Sequence, residues 1–247
     1  MLLRLGARVP PVSTWAPYYY FKHEATSTLL HHMAAVGEHA KAKLLLAHGA
    51  EIGLSAMPLP ALLDTEHLVI RAPEPTQAPA VNAAIRESYD SLRTWMSWAD
   101  HLPSEEETRA HLDKASRSFA DGVDVGLYLW ERDTGTFVGG AGLHARLADP
   151  TRRELGYWVR TSARGRGLAT EAVRALAEAA FRSLALTAVE IHTSARNLAS
   201  QRVASRAGFV LVEVRNDGRI DPDGVPSVTH IYERRVDRAP GVVGNTS

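Results

Sequence analysis

The residues best suited to chemistry are Arg164-Gly165-Arg166-Gly167-Leu168-Ala169-Thr170, which stand between a short apolar segment and a long amphipathic one. Without Cβ atoms at Gly165 and Gly167 the backbone can turn tightly and approach a ligand closely. The unpaired N–H groups of the helix that follows, and the positive end of its dipole, then face that ligand. Such a turn predicts a ligand carrying a diphosphate. A dinucleotide fingerprint uses similar parts, here Gly165-x-Gly167-x-x-Thr170 with Glu190 about twenty residues further on. That fingerprint puts its first glycine directly after a strand, whereas five residues separate Val159 from Gly165 and Thr170 replaces the third glycine, so an NAD-linked oxidoreductase fits poorly. With no cysteine in the chain, disulfides, thiol catalysis and Cys-ligated zinc are excluded. Its eleven histidines, His31-His32 included, form no pair or triad with carboxylates at metal-ligand spacing and read as surface or core residues.

The elements that must position this turn follow from periodicity. His67 to Arg71 reads as a first strand, and Gln77 to about Trp98 as a helix with a stripe of Ala80, Ala84, Ile85, Tyr89, Leu92, Trp95 and Met96. Residues 105 to 120 continue as helix. Val125 to Trp130 and Thr136 to Leu143 form a hairpin around Arg132-Asp133-Thr134-Gly135, and Glu154 to Val159 a fourth strand whose Gly156 marks a bulge. Past the turn, Leu168, Ala172, Leu176, Ala180 and Leu184 recur every four residues beside Val173, Ala177 and Phe181, so one flank of that helix packs on a sheet. Strands are expected at Ala188 to Thr193, Phe209 to Val214 and Ile231 to Glu233, with a short helix capped by Asn197 and closed by Gly208. The fold class is therefore α+β (layered α/β): a mixed, mostly antiparallel sheet of about six to seven strands flanked by helices.

A composition of 45% hydrophobic and 23% charged residues suits a globular chain, and zero net charge argues against a nucleic-acid backbone as partner. No apolar run approaches the roughly 20 residues that span a bilayer, and residues 1 to 30 lack a signal peptide's order, so the expectation is no membrane and a cytoplasmic location. Residues 1–62, with a helix from about Thr26 to His48 and a linker at Met57-Pro58-Leu59-Pro60, read as an extension, with Met57 as an alternative start. Residues 63–235 form the main domain and 236–247 a disordered tail.

The ordered set Glu154-Leu-Gly-Tyr-Trp-Val159, Arg164-x-x-Gly167-x-Ala169, Asn197-x-x-Ser200 and Gly208-Phe209 resembles the GNAT superfamily of acyl-CoA-dependent N-acetyltransferases. It is most similar to the branch holding the RimJ and RimL ribosomal-protein N-terminal acetyltransferases. Thr65 to Arg71, Leu92-x-x-Trp95-x-x-Trp98 and Arg215-Asn216-Asp217-Gly218 support the match, which covers about residues 63 to 235. The resemblance implies a GNAT fold and acetyl-CoA as cosubstrate, with no metal. The diphosphate would lie on Arg164, Gly165, Arg166, Gly167, Leu168, Ala169 and Thr170, and the pantetheine would pair with Tyr157, Trp158, Val159 and Arg160 like an added strand, bordered by Asn197 and Ser200. Glu154 matches the carboxylate that takes the proton from the amine; its alternative reading is a strand-end glutamate paired with Arg152 or Arg153. Trp95 and Trp98 match the acceptor side, or serve as core anchors, and His144 ends the third strand nearby.

The chain departs from the family at Ala204, where many relatives carry a tyrosine that protonates the leaving thiolate. Ser200 is the nearest hydroxyl by motif to donate or orient water; the alternative is a first-turn residue bonding its own cap. With no thiol and no Ser/His pair, transfer is expected to be direct. The acceptor implied by the branch is a protein or peptide N-terminal amine. A small amine such as an amino acid, polyamine or antibiotic, or a non-catalytic acyl-CoA-binding module, are the alternatives, on a monomer or homodimer.

Overall fold

Alternation of apolar side chains sorts the strands into two faces, and two helical layers cover them. A computed structural model describes residues 59–121, 125–145, 149, 151–184 and 186–236. The expectations for residues 1–58 and 237–247, including the helix at Thr26 to His48, lie outside the described residues. In chain order the elements are β1 (Leu62–Asp64), β2 (Leu68–Arg71), α1 (Ala78–Trp95), α2 (Glu105–Asp121), β3 (Val125–Glu131), β4 (Phe137–Ala145), β5 (Arg152–Val159), α3 (Leu168–Ser183), β6 (Ala188–Ser194), α4 (Leu198–Arg206), β7 (Val210–Arg215) and β8 (Thr229–Arg235). The eight strands form one sheet ordered β1-β2-β3-β4-β5-β6-β8-β7. The strand beyond the expected six to seven is β1, antiparallel to β2.

Leu127, Leu129, Leu143 and Leu155 point to the face covered by α3, joining Leu168, Ala172, Val173 and Leu176 in one core. Tyr128, Trp130 and Phe137 point the other way, to Val81, Ala84, Leu92 and Leu112 of α1 and α2. Each fully buried leucine removes enough apolar surface to stabilise the fold by about 1.5–3 kcal/mol, so both layers contribute strongly.

All neighbouring strands are antiparallel except β5 and β6. A parallel pair requires a crossover, and the Gly-rich turn plus α3 form it. The turn is thereby fixed at the end of β5.

The first helix is shorter than its stripe suggested. It ends at Trp95, with Met96 extended at φ −111° and ψ 113°, because the chain must turn back: Asn82 Nδ2 donates to Pro103 O and to Thr108 Oγ1, both at 2.9 Å. Its buried side is also rotated from the expected one, toward Ala78, Val81, Asn82 and Ser88 alongside Ala84, Ile85 and Leu92. A capping box starts α2, where Ser104 N donates to Glu107 Oε2 at 2.7 Å and Glu107 N donates to Ser104 Oγ at 3.2 Å.

No bulge falls at Gly156, which pairs in register with Gly142. The register shifts lie between Leu129 and Trp130 and between Leu211 and Glu213. Gly142 and Gly156 instead make room for the His144 ring, whose Nε2 would lie 3.2 and 3.6 Å from Cβ atoms placed there. Asn197 caps α4 by accepting from Ser200 N at 3.0 Å. Gly208, at φ 88°, closes it as Phe209 N donates to Ala204 O and Gly208 N to Ser205 O. Among the described residues no helix is long and apolar enough to cross a membrane.

Candidate active site

The site is a wedge opened in the middle of the sheet. β5 pairs with β6 only through Arg152, Arg153 and Glu154 against Ala188, Val189 and Glu190. Beyond Glu154 the two strands part, while β5 stays paired with β4 to Val159 and β6 with β8 to Ser194. Backbone groups alternate in direction along a strand. Arg160 N donates to Val138 O, and a Cβ at Gly139 would lie 2.2 Å from Trp158 O, so the even-numbered residues of β5 turn their backbones toward β4. Tyr157 and Val159 therefore direct their N–H and C=O groups into the wedge, where no described strand ladders against them. From Glu154 to Val159 this edge runs for about 17 Å at 3.3–3.4 Å per residue.

At the wide end lies the Gly-rich turn, where Gly165 and Gly167 have φ of 75° and 83°. Such values strain any residue with a Cβ, although none placed there would meet an atom within 4 Å. The arginine side chains are committed elsewhere. Arg160 Nε donates to Glu87 Oε2 at 2.9 Å and its Nη1 to Phe137 O at 3.1 Å. Arg164 bonds Ser91 Oγ, and Arg166 pairs with Glu131. Glu87 also accepts from Ser162 N at 2.8 Å, and Ser88 Oγ from Thr161 N at 2.9 Å. The Arg160 guanidinium, assisted by the Ser162 bonds, holds the Glu87 carboxyl down at about 2. On the far side Glu171, in the first turn of α3, accepts from Thr65 Oγ1 at 2.6 Å and from His67 N at 2.8 Å. The turn is thus anchored on both flanks, and its backbone, from Gly165 through the first N–H groups of Leu168, Ala169 and Thr170, is what it offers an anion.

At the narrow end stands Glu154, one-third exposed, on the α1/α2 face of β5 opposite His144 of β4. The alternative pairing with Arg152 does not occur: Arg152 Nε donates to Glu190 at 2.7 Å, and its Nη2 pairs with Glu233. Glu154 Oε2 faces His192 Nδ1 at 3.7 Å, and His192 Nε2 lies 2.7 Å from Glu190 Oε2. His192, read from the sequence as an ordinary core or surface histidine, is therefore part of the site. One signal was present, since residues 190 and 192 of a strand share a face; the partner across the wedge, Glu154, is set by the sheet order.

Trp95 and Trp98 do not meet. Trp98 packs 6.1 Å from Trp158, which lies 5.7 Å from Phe137, in an aromatic layer under the Glu154 face. Trp95 instead lies under the Arg196 guanidinium at 5.6 Å, and Arg196 pairs with Asp221 and Asp223 at 3.0 and 2.8 Å. On the opposite face, the Tyr157 hydroxyl crosses to α4, 2.9 Å from Ser200 Oγ and donating to Ser200 O at 3.0 Å. Burial pushes this phenol up to about 12. The Ser200 N–H belongs to the Asn197 cap, as one reading of the sequence had it, while its hydroxyl meets the Tyr157 phenol. Ala204 is fully buried.

A sequence model described as "Acetyltransferase (GNAT) domain" matches residues 67–210, more than half of the chain. The "Putative ribosomal N-acetyltransferase YdaF" of Bacillus subtilis (strain 168) is 31% identical over 156 residues, 62% of this chain and 83% of that protein. Two solved structures share the fold. One is the RimL ribosomal L7/L12 alpha-N-protein acetyltransferase in complex with coenzyme A, with a TM-score of 0.65, 22% identity and coverage of 72% of this chain and 98% of that one. The other is the Microcin C7 self immunity acetyltransferase MccE in complex with acetyl-CoA and AMP, with a TM-score of 0.64, 18% identity and coverage of 70% and 94%.

Proposed function

The chain belongs to the GNAT acetyltransferase family, and we propose that it transfers the acetyl group of acetyl-CoA directly to the N-terminal α-amine of a protein or peptide. The observation that carries this reading is the wedge itself. It joins an anion-binding backbone turn, a strand edge with free amide groups and a carboxylate in one line along β5. A cosubstrate with a diphosphate at one end and an amide-bearing arm fits that line: diphosphate on Gly165 to Thr170, arm along Tyr157 and Val159, thioester near Glu154. Relatives named for ribosomal N-acetylation support the choice of acceptor.

Glu154 and Tyr157 lie on opposite faces of one strand, because odd and even positions alternate. The amine enters on the Glu154 face, between that carboxylate and the aromatic layer of Trp98 and Trp158. An α-amine of pKa near 8 is mostly ammonium at neutral pH, so Glu154, directly or through water, takes its proton before attack. The Tyr157 N–H, directed into the wedge, donates to the oxyanion that forms; one such donor typically lowers the barrier by about 2.7–4 kcal/mol. The thiolate departs toward the Tyr157–Ser200 hydroxyl pair. A phenol at about 12 is a much weaker acid than a thiol near 8.5, so that pair stabilises the thiolate by hydrogen bonding and does not protonate it.

Calorimetric titration with acetyl-CoA and with NAD tests the cosubstrate. Acetyl-CoA is expected to bind and NAD not to. Gly167→Val places a β-branched residue at φ 83°, strain of about 1–3 kcal/mol that binding or folding must absorb, and should weaken acetyl-CoA by at least about tenfold. No acetyl-CoA binding, or a preference for NAD, overturns the reading.

A further inference from the structure

The imidazole of His192 lies between two carboxylates of very different surroundings. Glu190 is buried at 5% exposure and held by Arg152, which also pairs with buried Glu233. Glu154 is one-third exposed and faces the wedge. The short contact, 2.7 Å, is from Nε2 to Glu190, and the long one, 3.7 Å, from Nδ1 to Glu154. An ionised carboxylate only accepts hydrogen bonds, so the Glu190 contact requires the hydrogen on Nε2. A neutral ring so fixed has its basic lone pair on Nδ1, directed at Glu154. A carboxylate that sets the tautomer of a histidine, whose other nitrogen then handles protons, is a recurring arrangement in sites that move protons.

We propose that His192, oriented by Glu190, is the positioning residue through which Glu154 disposes of the amine's proton. The inference rests on the acetyltransferase reading above. The proton leaves the ammonium nitrogen for a Glu154 carboxylate oxygen. The carboxyl O–H so formed gives it to His192 Nδ1, while the Nε2 hydrogen stays on Glu190. Glu154 returns to the carboxylate, ready for the next amine, and the imidazolium is held between two carboxylates until water removes the proton. One bridging water, or a small rotation of the Glu154 side chain, spans the 3.7 Å gap. Charged groups near the ring and its carboxylate partners include Arg152 of β5, Glu233 of β8, Glu213 of β7 with Arg215 paired to it, and His144 of β4 opposite Glu154. All belong to the fixed frame of the sheet. The consequence is that a chain lacking this imidazole leaves Glu154 with no acceptor behind it.

Two readouts test this on the full chain. Nitrogen-15 NMR of the His192 ring, from about pH 5 to 9, should show the Nε2–H tautomer in its neutral form, and Glu190→Gln should shift the balance toward Nδ1–H. A neutral ring carrying its hydrogen on Nδ1 in the wild type overturns the proposal. In peptide acetylation, His192→Asn should lower kcat by about tenfold or more, with the KM for acetyl-CoA unchanged and the acid limb of the kcat–pH profile displaced; His192→Gln serves if the asparagine variant does not fold. A wild-type rate and profile in a folded variant overturn this inference alone. A wild-type protein that binds acetyl-CoA yet acetylates no peptide overturns the acceptor reading, and this inference with it.

Discussion

Three positions apart on β5, Glu154 and Tyr157 serve opposite sides of the wedge, and what each can do follows from its surroundings. Glu154, the proposed general base, is one-third exposed and faces an imidazole at 3.7 Å. Tyr157 is half-buried, its phenol pushed up to about 12 by desolvation and tied to Ser200. Tyr157→Phe should therefore act mainly on structure. It strips a donor from the Ser200 carbonyl and hydroxyl, which costs about 1–3 kcal/mol of stability, while acetyl transfer falls by no more than about tenfold. Chemical denaturation alongside a transfer assay checks this, and a loss of several hundredfold would mean that the phenol does more than position. At this scale the glycines of the turn and the Asn197 cap were legible, because each depends on local spacing, whereas Glu154 was singled out only by the family resemblance. His192 was not legible, since its role is set by a partner 38 positions away in sequence, across the one parallel pairing.

Among the elements, the Gly-rich turn depends on α1 for its placement. Glu87 of α1 accepts from Arg160 and Ser162, so the segment entering the turn is fastened to a helix more than seventy residues earlier. With Glu87 held at about 2 against an ordinary 4.5, its contribution to stability is complete above about pH 4.5 and fades as the pH falls from there toward 2, since the unfolded chain takes up the proton first. Glu87→Gln should lower the melting temperature at pH 7 and flatten its decline through that acid window, with the two proteins converging near the bottom. Melting curves between pH 7 and about 2.5 read the effect; parallel declines would contradict it. Strand and helix positions were legible from periodicity, as was the 132–135 hairpin turn. The end of α1 was not, because the return of the chain along Asn82 overrides a stripe that continues to Trp98. The splay of β5 from β6 has no periodic signal at all, because both strands keep their alternation and only their mutual distance changes.

For the molecule as a whole, the wedge divides the sheet into a β1–β5 half and a β6–β8 half. On one face Tyr157 reaches Ser200 across it; on the other Trp95 reaches Arg196, which also holds Asp221 and Asp223 of the segment before β8. Acetyl-CoA seated between the halves would add contacts to both. At a concentration of 100 times its Kd it should stabilise the fold by about 2.7 kcal/mol, a rise of about 5–11 °C in melting temperature for a domain of this size. NAD at the same concentration should give no rise, and an equal rise with both would contradict the specificity of the turn.

Under the proposed function, this wedge moves an acetyl group to an α-amine with Glu154 as the base. This is tested most directly by mass spectrometry of peptides incubated with acetyl-CoA and either the wild type or Glu154→Gln, using peptides with a free N-terminus and others with a blocked N-terminus and a free lysine. The wild type should acetylate free N-termini, and the variant should do so at a rate at least about 100-fold lower, with acetyl-CoA affinity preserved. Acetylation confined to lysine, or a Glu154→Gln protein working at the wild-type rate, would contradict this reading.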